Sequence, residues 1–323
     1  MVCKCLHIKL PLELIVNSND LLFFNKILFG LFIVISICSF FYINCVLLFT
    51  LRSKPVFCET SRFILLFNLL FADTFQQVPN LLLYILACFN MTIPFDACGF
   101  LVLLCLATDL ISPLTLAVMS VERYVAICLP LRHATIFTVS STGMVIAVVW
   151  AFSFIHILIR VFMLVHTFTI IPFNPHMNDF CSKEAMFFAP IFNDFEKVYA
   201  SILFVSVGLA IIGSYVGVAL VATSASTDKA SARKVLQTLL LHLIQLCLVL
   251  TSSMFSTIII VIARTVRRLT ILRIYNVCFV FLSILPRCLS ALIYGLRDQT
   301  IRPVLMHNLC CGGRTSVFLN KSR

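Results

Sequence analysis

The sequence predicts an all-α membrane protein, a bundle of transmembrane helices that leaves no room for a separate soluble domain. Three observations carry that expectation. Hydrophobic residues make up 61% of the 323-residue chain and charged residues only 11%, with a mean hydropathy of +1.08; a soluble domain is nearer half apolar and a quarter charged. The apolar residues fall into long runs, and about 20 of them are needed to cross the hydrocarbon core, so the length allows roughly six to eight spans. The chain also carries 31 Phe, which suit lipid contact and interhelical packing. Within lipid, backbone polar groups must be satisfied inside the segment, and runs of this length do so as helices.

Read by the charges that interrupt them, the runs number seven: 24–51, 62–89, 98–124, 143–166, 197–222, 235–262 and 274–294. This divides the chain into an N-terminal segment 1–23, a seven-transmembrane domain 24–294 and a tail 295–323. In the tail, apolar and basic residues alternate at helical spacing from Arg297 to Leu305, which predicts a short interfacial eighth helix. The first 20 residues lack a sustained apolar core and a small-residue cleavage site, so the first run is expected to act as an uncleaved signal anchor. Of the 24 Lys and Arg, 13 fall on the side that this reading makes cytoplasmic, 9 outside and 2 within spans, favouring an N-terminus outside.

The net charge of +11 does not indicate a nucleic-acid partner, because the basic residues are scattered between apolar runs. Most of the 15 Cys lie inside apolar runs, where a thiol behaves as a small hydrophobe. Outside the adjacent pair Cys310-Cys311, no zinc-like Cys or His spacing appears. No nucleophile–base set or phosphate loop is present either, so neither an enzyme nor a cofactor is expected.

Polar residues inside the runs are costly and therefore informative. Asp73 falls near mid-membrane and needs an ion, a proton or a polar neighbour; Asn44 is the notable polar residue of the first run. Asp109 precedes Arg123 by 14 residues, just under four helical turns, which places it mid-membrane. It is read either as a counter-charge for a cationic or polar ligand group, or as a hydrogen-bonded or ion-paired partner of a Ser, Thr or intramembrane arginine. Arg160 and His156 lie one turn apart in the fourth run, and Arg160 either snorkels to the interface or faces a pocket. The loop 263–273 carries Arg264, Arg267, Arg268 and Arg273, either steering acidic ligands or simply solvated. At the end of the third run, Glu122-Arg123-Tyr124 puts an acid beside an arginine at the membrane edge. Such a pair serves as a latch between two states, or as a plain juxtamembrane salt bridge.

The longer string around it, MSVERYVAICLPLRHATI, resembles the third-helix end of rhodopsin-like G protein-coupled receptors. Its pattern is that of olfactory receptors, M-A-x-[DE]-R-Y-x-A-I-C-x-P-L-x-[YH], with fish odorant receptors nearest. The seventh run is similar to the P-x-L-N-P-x-I-Y-x-L-R ending of that family and is read as matching it at Pro286, Leu289, Ile293, Tyr294, Leu296 and Arg297. There Ser290-Ala291 replaces the Asn-Pro pair, and Pro286, one turn earlier, is expected to supply the kink. Trp150 and Ser214-Tyr215 fit the family, whereas the sixth run keeps His242 and little else.

The resemblance implies further assignments. It pairs Cys98 with Cys181 in an extracellular disulfide. It groups Asn44, Asp73 and Ser290 in an inner polar cluster that holds sodium in many members; a protonated or hydrogen-bonded Asp73 is the alternative. Cys105 stands where amine receptors carry a ligand-binding Asp, which makes Cys105, Asp109 and Arg160 the ligand-binding candidates. Glu122, Arg123, Tyr124, Tyr215 and Tyr294 would form the activation switch and G protein contact, helped by Lys229, Arg233 and Lys234. Asn90-Met91-Thr92 is a glycosylation sequon, and Cys310 and Cys311 are either palmitoylated or free. The seventh run has no lysine, which excludes a retinal Schiff base. The expected function is a plasma-membrane odorant receptor that binds a small molecule and activates a heterotrimeric G protein, of the stimulatory olfactory type. A peptide or lipid receptor of the same superfamily and a small-solute transporter are the alternatives.

Overall fold

The computed structural model describes residues 12–89, 91–170, 181–187, 189–225 and 300–310, with scattered positions between 240 and 295; side chains are described from Gly30 onward. All the regular structure among them is helical. α1 (Leu12–Arg52) starts well before the apolar run at 24, so residues 12–23 extend the first helix. A short helix α2 (Pro55–Glu59) leads into α3 (Ser61–Cys88). The third span is two helices in line, α4 (Phe95–Asp109) and α5 (Ile111–Cys128), interrupted at Leu110. Pro113 explains the interruption. It has no N–H for the carbonyl four residues back, which belongs to Asp109. α6 (Pro130–Ile136) follows, then α7 (Val139–Ile170), α8 (Lys183–Met186) and α9 (Pro190–Ala225). α10 (Ile301–Cys310) is the short helix expected after the seventh run.

α7 and α9 overrun their apolar runs, so the connection expected over 167–196 shrinks to 171–189. Pro190 sits at the first position of α9, where its missing N–H costs nothing. Among the described residues, four helical stretches are long and apolar enough to cross a membrane: Gly30–Arg52, Phe95–Cys128, Val139–Ile170 and Pro190–Val221. Positions in the sixth and seventh runs, including Leu240, Ile244, Cys278, Leu285 and Arg287, are also helical. Asn90, His242, Ser290, Tyr294, Cys311, the basic turn with Lys229, Arg233 and Lys234, and the loop 263–273 lie outside the described residues.

α3 is central, packing on α1, α4, α5 and α7, while α5 packs on α9 and α10 on α1. One apolar core joins Leu47, Leu66, Leu70, Leu116, Met119 and Ile211 with Ile301 and Leu305 of α10. A second, at the other end, joins Cys98, Val102, Leu164, Cys181, Phe187 and Phe192. The outward faces are apolar as well: Phe32, Phe154, Phe162, Ile202 and Leu209 are all exposed. In water such a surface would aggregate; here it is the face presented to lipid. Asn308 Nδ2 donates to Thr50 Oγ1 at 2.8 Å, fixing α10 beneath α1.

The α5–α9 contact depends on one glycine. A Cβ at Gly217 would lie 2.4 Å from Cε2 of Tyr124, a ring with no flexible end to yield. Gly213, one turn earlier on α9, has nothing within 4 Å of its position. Replacing a helix glycine by alanine gains about 1 kcal/mol of propensity, whereas overpacking costs about 1–3 kcal/mol. Gly213→Ala should therefore raise the unfolding temperature of the purified protein, and Gly217→Ala should lower it.

Candidate functional site

Two acids and one arginine meet at mid-bundle. Asp73 comes from α3, Asp109 is the last residue of α4, and Arg287 belongs to the seventh run. Arg287 Nη1 donates to Asp73 Oδ1 at 2.9 Å and Nη2 to Asp109 Oδ1 at 3.3 Å. Ser112 Oγ also donates to Asp73 Oδ1, at 2.6 Å. Gln76, on the same face of α3 as Asp73, donates its Nε2 to Asp109 Oδ1. The Asp73 side chain is fully buried and that of Arg287 4% exposed, whereas that of Asp109 is 37% exposed. Asp109 therefore pairs with an intramembrane arginine, and its open side leaves the ligand reading intact.

The pairing answers the cost of placing charge in a low dielectric. It is incomplete, because two carboxylates face one guanidinium. Asp73 Oδ2, Arg287 Nε and Gln76 Oε1 are all buried without a hydrogen-bond partner. A further polar rung lies nearer the start of α3. Asn68 Nδ2 donates to Thr115 Oγ1 at 3.0 Å, and Trp150 Nε1 donates to Asn68 Oδ1 at 2.9 Å. Asn44 is buried, but among the described residues its amide atoms have no hydrogen-bond partner, Asp73 included. Of the expected inner cluster, then, Asp73 is engaged, Asn44 stands apart and Ser290 is undescribed.

The end of the bundle that carries Cys98 has its own charged group. Cys98 and Cys181 form a disulfide with Cα atoms 5.6 Å apart, tying the segment before α8 to the start of α4. Arg160 is 1% exposed, which rules out snorkelling. Its Nη2 pairs with Glu196 of α9, and its Nε donates to His156 Nε2 at 3.2 Å. Lys183 Nζ pairs with the other Glu196 oxygen. The Arg160 guanidinium lies 5.4 Å from the Phe187 ring centre and 5.6 Å from that of Phe195. His156 stacks against Phe195 and Tyr199. Cys105 is buried, with its Sγ donating to Asn80 Oδ1 at 3.2 Å.

At the opposite end of the bundle Glu122 is buried, with its side chain 4% exposed, between Arg123 and His133. Arg123 Nε lies 3.4 Å from Glu122 Oε2, an ion pair without hydrogen-bond geometry. His133 Nε2 lies 3.1 Å from Glu122 Oε1, drawing in α6. Tyr124 packs against Gly217 of α9, while Tyr215 sits half-buried on the same helix.

Sequence reasoning gave no role to Arg287, Gln76, Glu196, Lys183 or His133. One signal was available for Arg287: with Arg160 it is one of two Lys or Arg deep inside a run, the others (Lys26, Arg62, Arg123 and Lys197) lying at run ends, and intramembrane charges pair with one another. Breaking a buried pair costs about 3–5 kcal/mol, because the partner charge is stranded. Arg287→Gln strands two acids, whereas Asp109→Asn leaves Arg287 and Asp73 balanced. Arg287→Gln should abolish surface expression or sharply lower the unfolding temperature, and Asp109→Asn should express and unfold near wild type.

Residues 43–294 match the family model described as 7 transmembrane receptor (rhodopsin family). The chain is 32% identical to "Odorant receptor 131-2" of Danio rerio over 275 residues, 84% of this chain and 82% of the relative. It is also 26% identical to "Olfactory receptor 11H4" of Homo sapiens over 294 residues, 87% of this chain and 86% of the relative. With the helical bundle, the disulfide and the buried acid–arginine pair at the third-helix end, these matches place the chain among signalling receptors rather than enzymes. The chain belongs to the rhodopsin family of seven-transmembrane G protein-coupled receptors, among its olfactory-type members.

Proposed function

We propose that the protein is a chemosensory receptor of the plasma membrane that binds a small molecule in the outer half of the bundle. Its N-terminus lies outside, and its inner face activates a heterotrimeric G protein of the stimulatory olfactory type. The observation that carries this reading is the buried Glu122 held between Arg123 and His133 where α5 meets α6. A carboxylate so placed is stable only while its partners stay, so it favours one arrangement of the inner helix ends. The odorant-receptor relative from zebrafish, similar along most of both chains, supports the chemosensory half of the reading.

Ligand binding acts as a population shift, limited by the ligand's differential affinity for the two states. What supports an outer site is that Cys181, Phe187 and Phe192 pack in one apolar cluster with Cys98 and Val102 of α4 beside the disulfide. Cyclic AMP would be measured in cells expressing the chain with a stimulatory olfactory G protein, against a panel of water-soluble odorants. The wild type should respond, and Arg123→Ala should be silent at equal surface expression. Glu122→Gln should raise basal cyclic AMP about fivefold, as expected if the latch is worth about 1 kcal/mol. An unchanged response in Arg123→Ala would contradict the coupling role.

A further inference from the structure

Among the described residues two carboxyl groups at mid-bundle share one guanidinium, a formal surplus of one negative charge, and the surplus has an address. Asp73 is closed off: it is fully buried, and its Oδ1 already accepts from Ser112 and Arg287. Asp109 is the open member, with its side chain 37% exposed. Its recorded partners, Gln76 and Arg287, both bind Oδ1. They lie on α3 and in the seventh run, so the carboxylate points into the bundle rather than to lipid.

Gln76 adds a second, independent demand. It is 2% exposed, its Nε2 is spent on Asp109, and its Oε1 is buried with no partner. The two atoms share one amide, so this unsatisfied acceptor lies beside the same carboxylate. A surplus negative charge and an orphan acceptor side by side call for one group that is both cationic and rich in N–H donors. A hydroxyl lacks the charge, a carboxylate has the wrong sign, and a quaternary ammonium has no N–H for Gln76.

We infer that Asp109 and the Gln76 side-chain carbonyl together receive the ammonium group of a primary or secondary amine ligand. The inference rests on the receptor reading above and names its ligand class. The bound ammonium competes with Arg287 for Asp109 and leaves the guanidinium to Asp73. Occupancy is thereby passed from the open acid to the closed one, deeper in the bundle.

The test is direct binding to the purified full-length receptor in lipid nanodiscs, with no G protein present. The probes are 1-hexylamine, 1-hexanol, hexanoate and N,N,N-trimethylhexylammonium. The expected order puts 1-hexylamine first, ahead of the quaternary analogue, and it should bind Asp109→Asn about tenfold more weakly or worse, the scale of a lost charge-assisted hydrogen bond. Gln76→Leu should weaken 1-hexylamine several-fold and narrow its lead over the quaternary analogue, and it decides the matter if Asp109→Asn fails to fold. Equal binding of 1-hexanol and 1-hexylamine would overturn the inference, since the surplus charge would then be held by a proton. So would amine binding that survives both substitutions. Because the readout needs no signalling, cyclic AMP responses to other odorants without amine binding sink only this inference. Amine binding without any cyclic AMP response sinks only the signalling reading.

Discussion

The Arg287 guanidinium between Asp73 and Asp109 is the interaction on which the middle of the bundle depends. Asp73 or Arg287 alone would be expensive in the hydrocarbon interior, so the two are stable only as a pair, and Asp109 shares the same guanidinium. Their joint satisfaction fixes the seventh run against α3 and against the junction of α4 and α5. Pro113 contributes by interrupting the third span at Leu110, directly after Asp109. Ser112, one turn on, then reaches Asp73 from the same span. A single arginine thus ties together helices that apolar packing alone would leave free to slide.

Charge is also unevenly divided along the bundle. At mid-bundle two acids face one arginine, whereas at the disulfide-bearing end Arg160 and Lys183 share the single carboxylate of Glu196. The outer group holds α7, α8 and α9 together, and the Cys98–Cys181 disulfide ties the same segment to α4. That end is therefore braced, while the Asp109 side chain at mid-bundle stays 37% exposed. At the opposite end, Glu122 joins α5 to α6, and Tyr124 sits where only glycine fits on α9. With the Asn68–Thr115–Trp150 rung, the polar contacts run through the bundle in four tiers.

Much of this was legible in the sequence. Run lengths located the helices because lipid demands about 20 apolar residues per span. They did not locate the helix ends, because a helix continues past the hydrocarbon wherever its backbone bonds are made. That is why Glu196 was missed: the fifth run was opened one residue after it, although α9 begins at Pro190. Asp73 and Asp109 announced themselves by cost. Their partner did not, because Arg287 stood inside a string read for its family pattern. Counted back from Tyr294, the first proline of P-x-L-N-P-x-I-Y-x-L-R falls on Arg287, and Pro286 is one residue out of register. The departure from the pattern carried the chemistry. Gln76 was beyond reach, since a glutamine in a span signals nothing until its neighbours are known.

The measurement that tests this account most directly is a double-mutant cycle on thermal unfolding of the purified receptor, using Asp73→Asn, Arg287→Gln and the pair. In such a cycle, residues in one buried network couple by about 0.5–3 kcal/mol, and independent residues by roughly 0.3–0.5 kcal/mol at most. The account predicts strong coupling, with the double variant more stable than Arg287→Gln alone because a stranded acid has been removed. Additive effects would show that Arg287 does not hold Asp73, and would contradict the arrangement at the centre of the bundle.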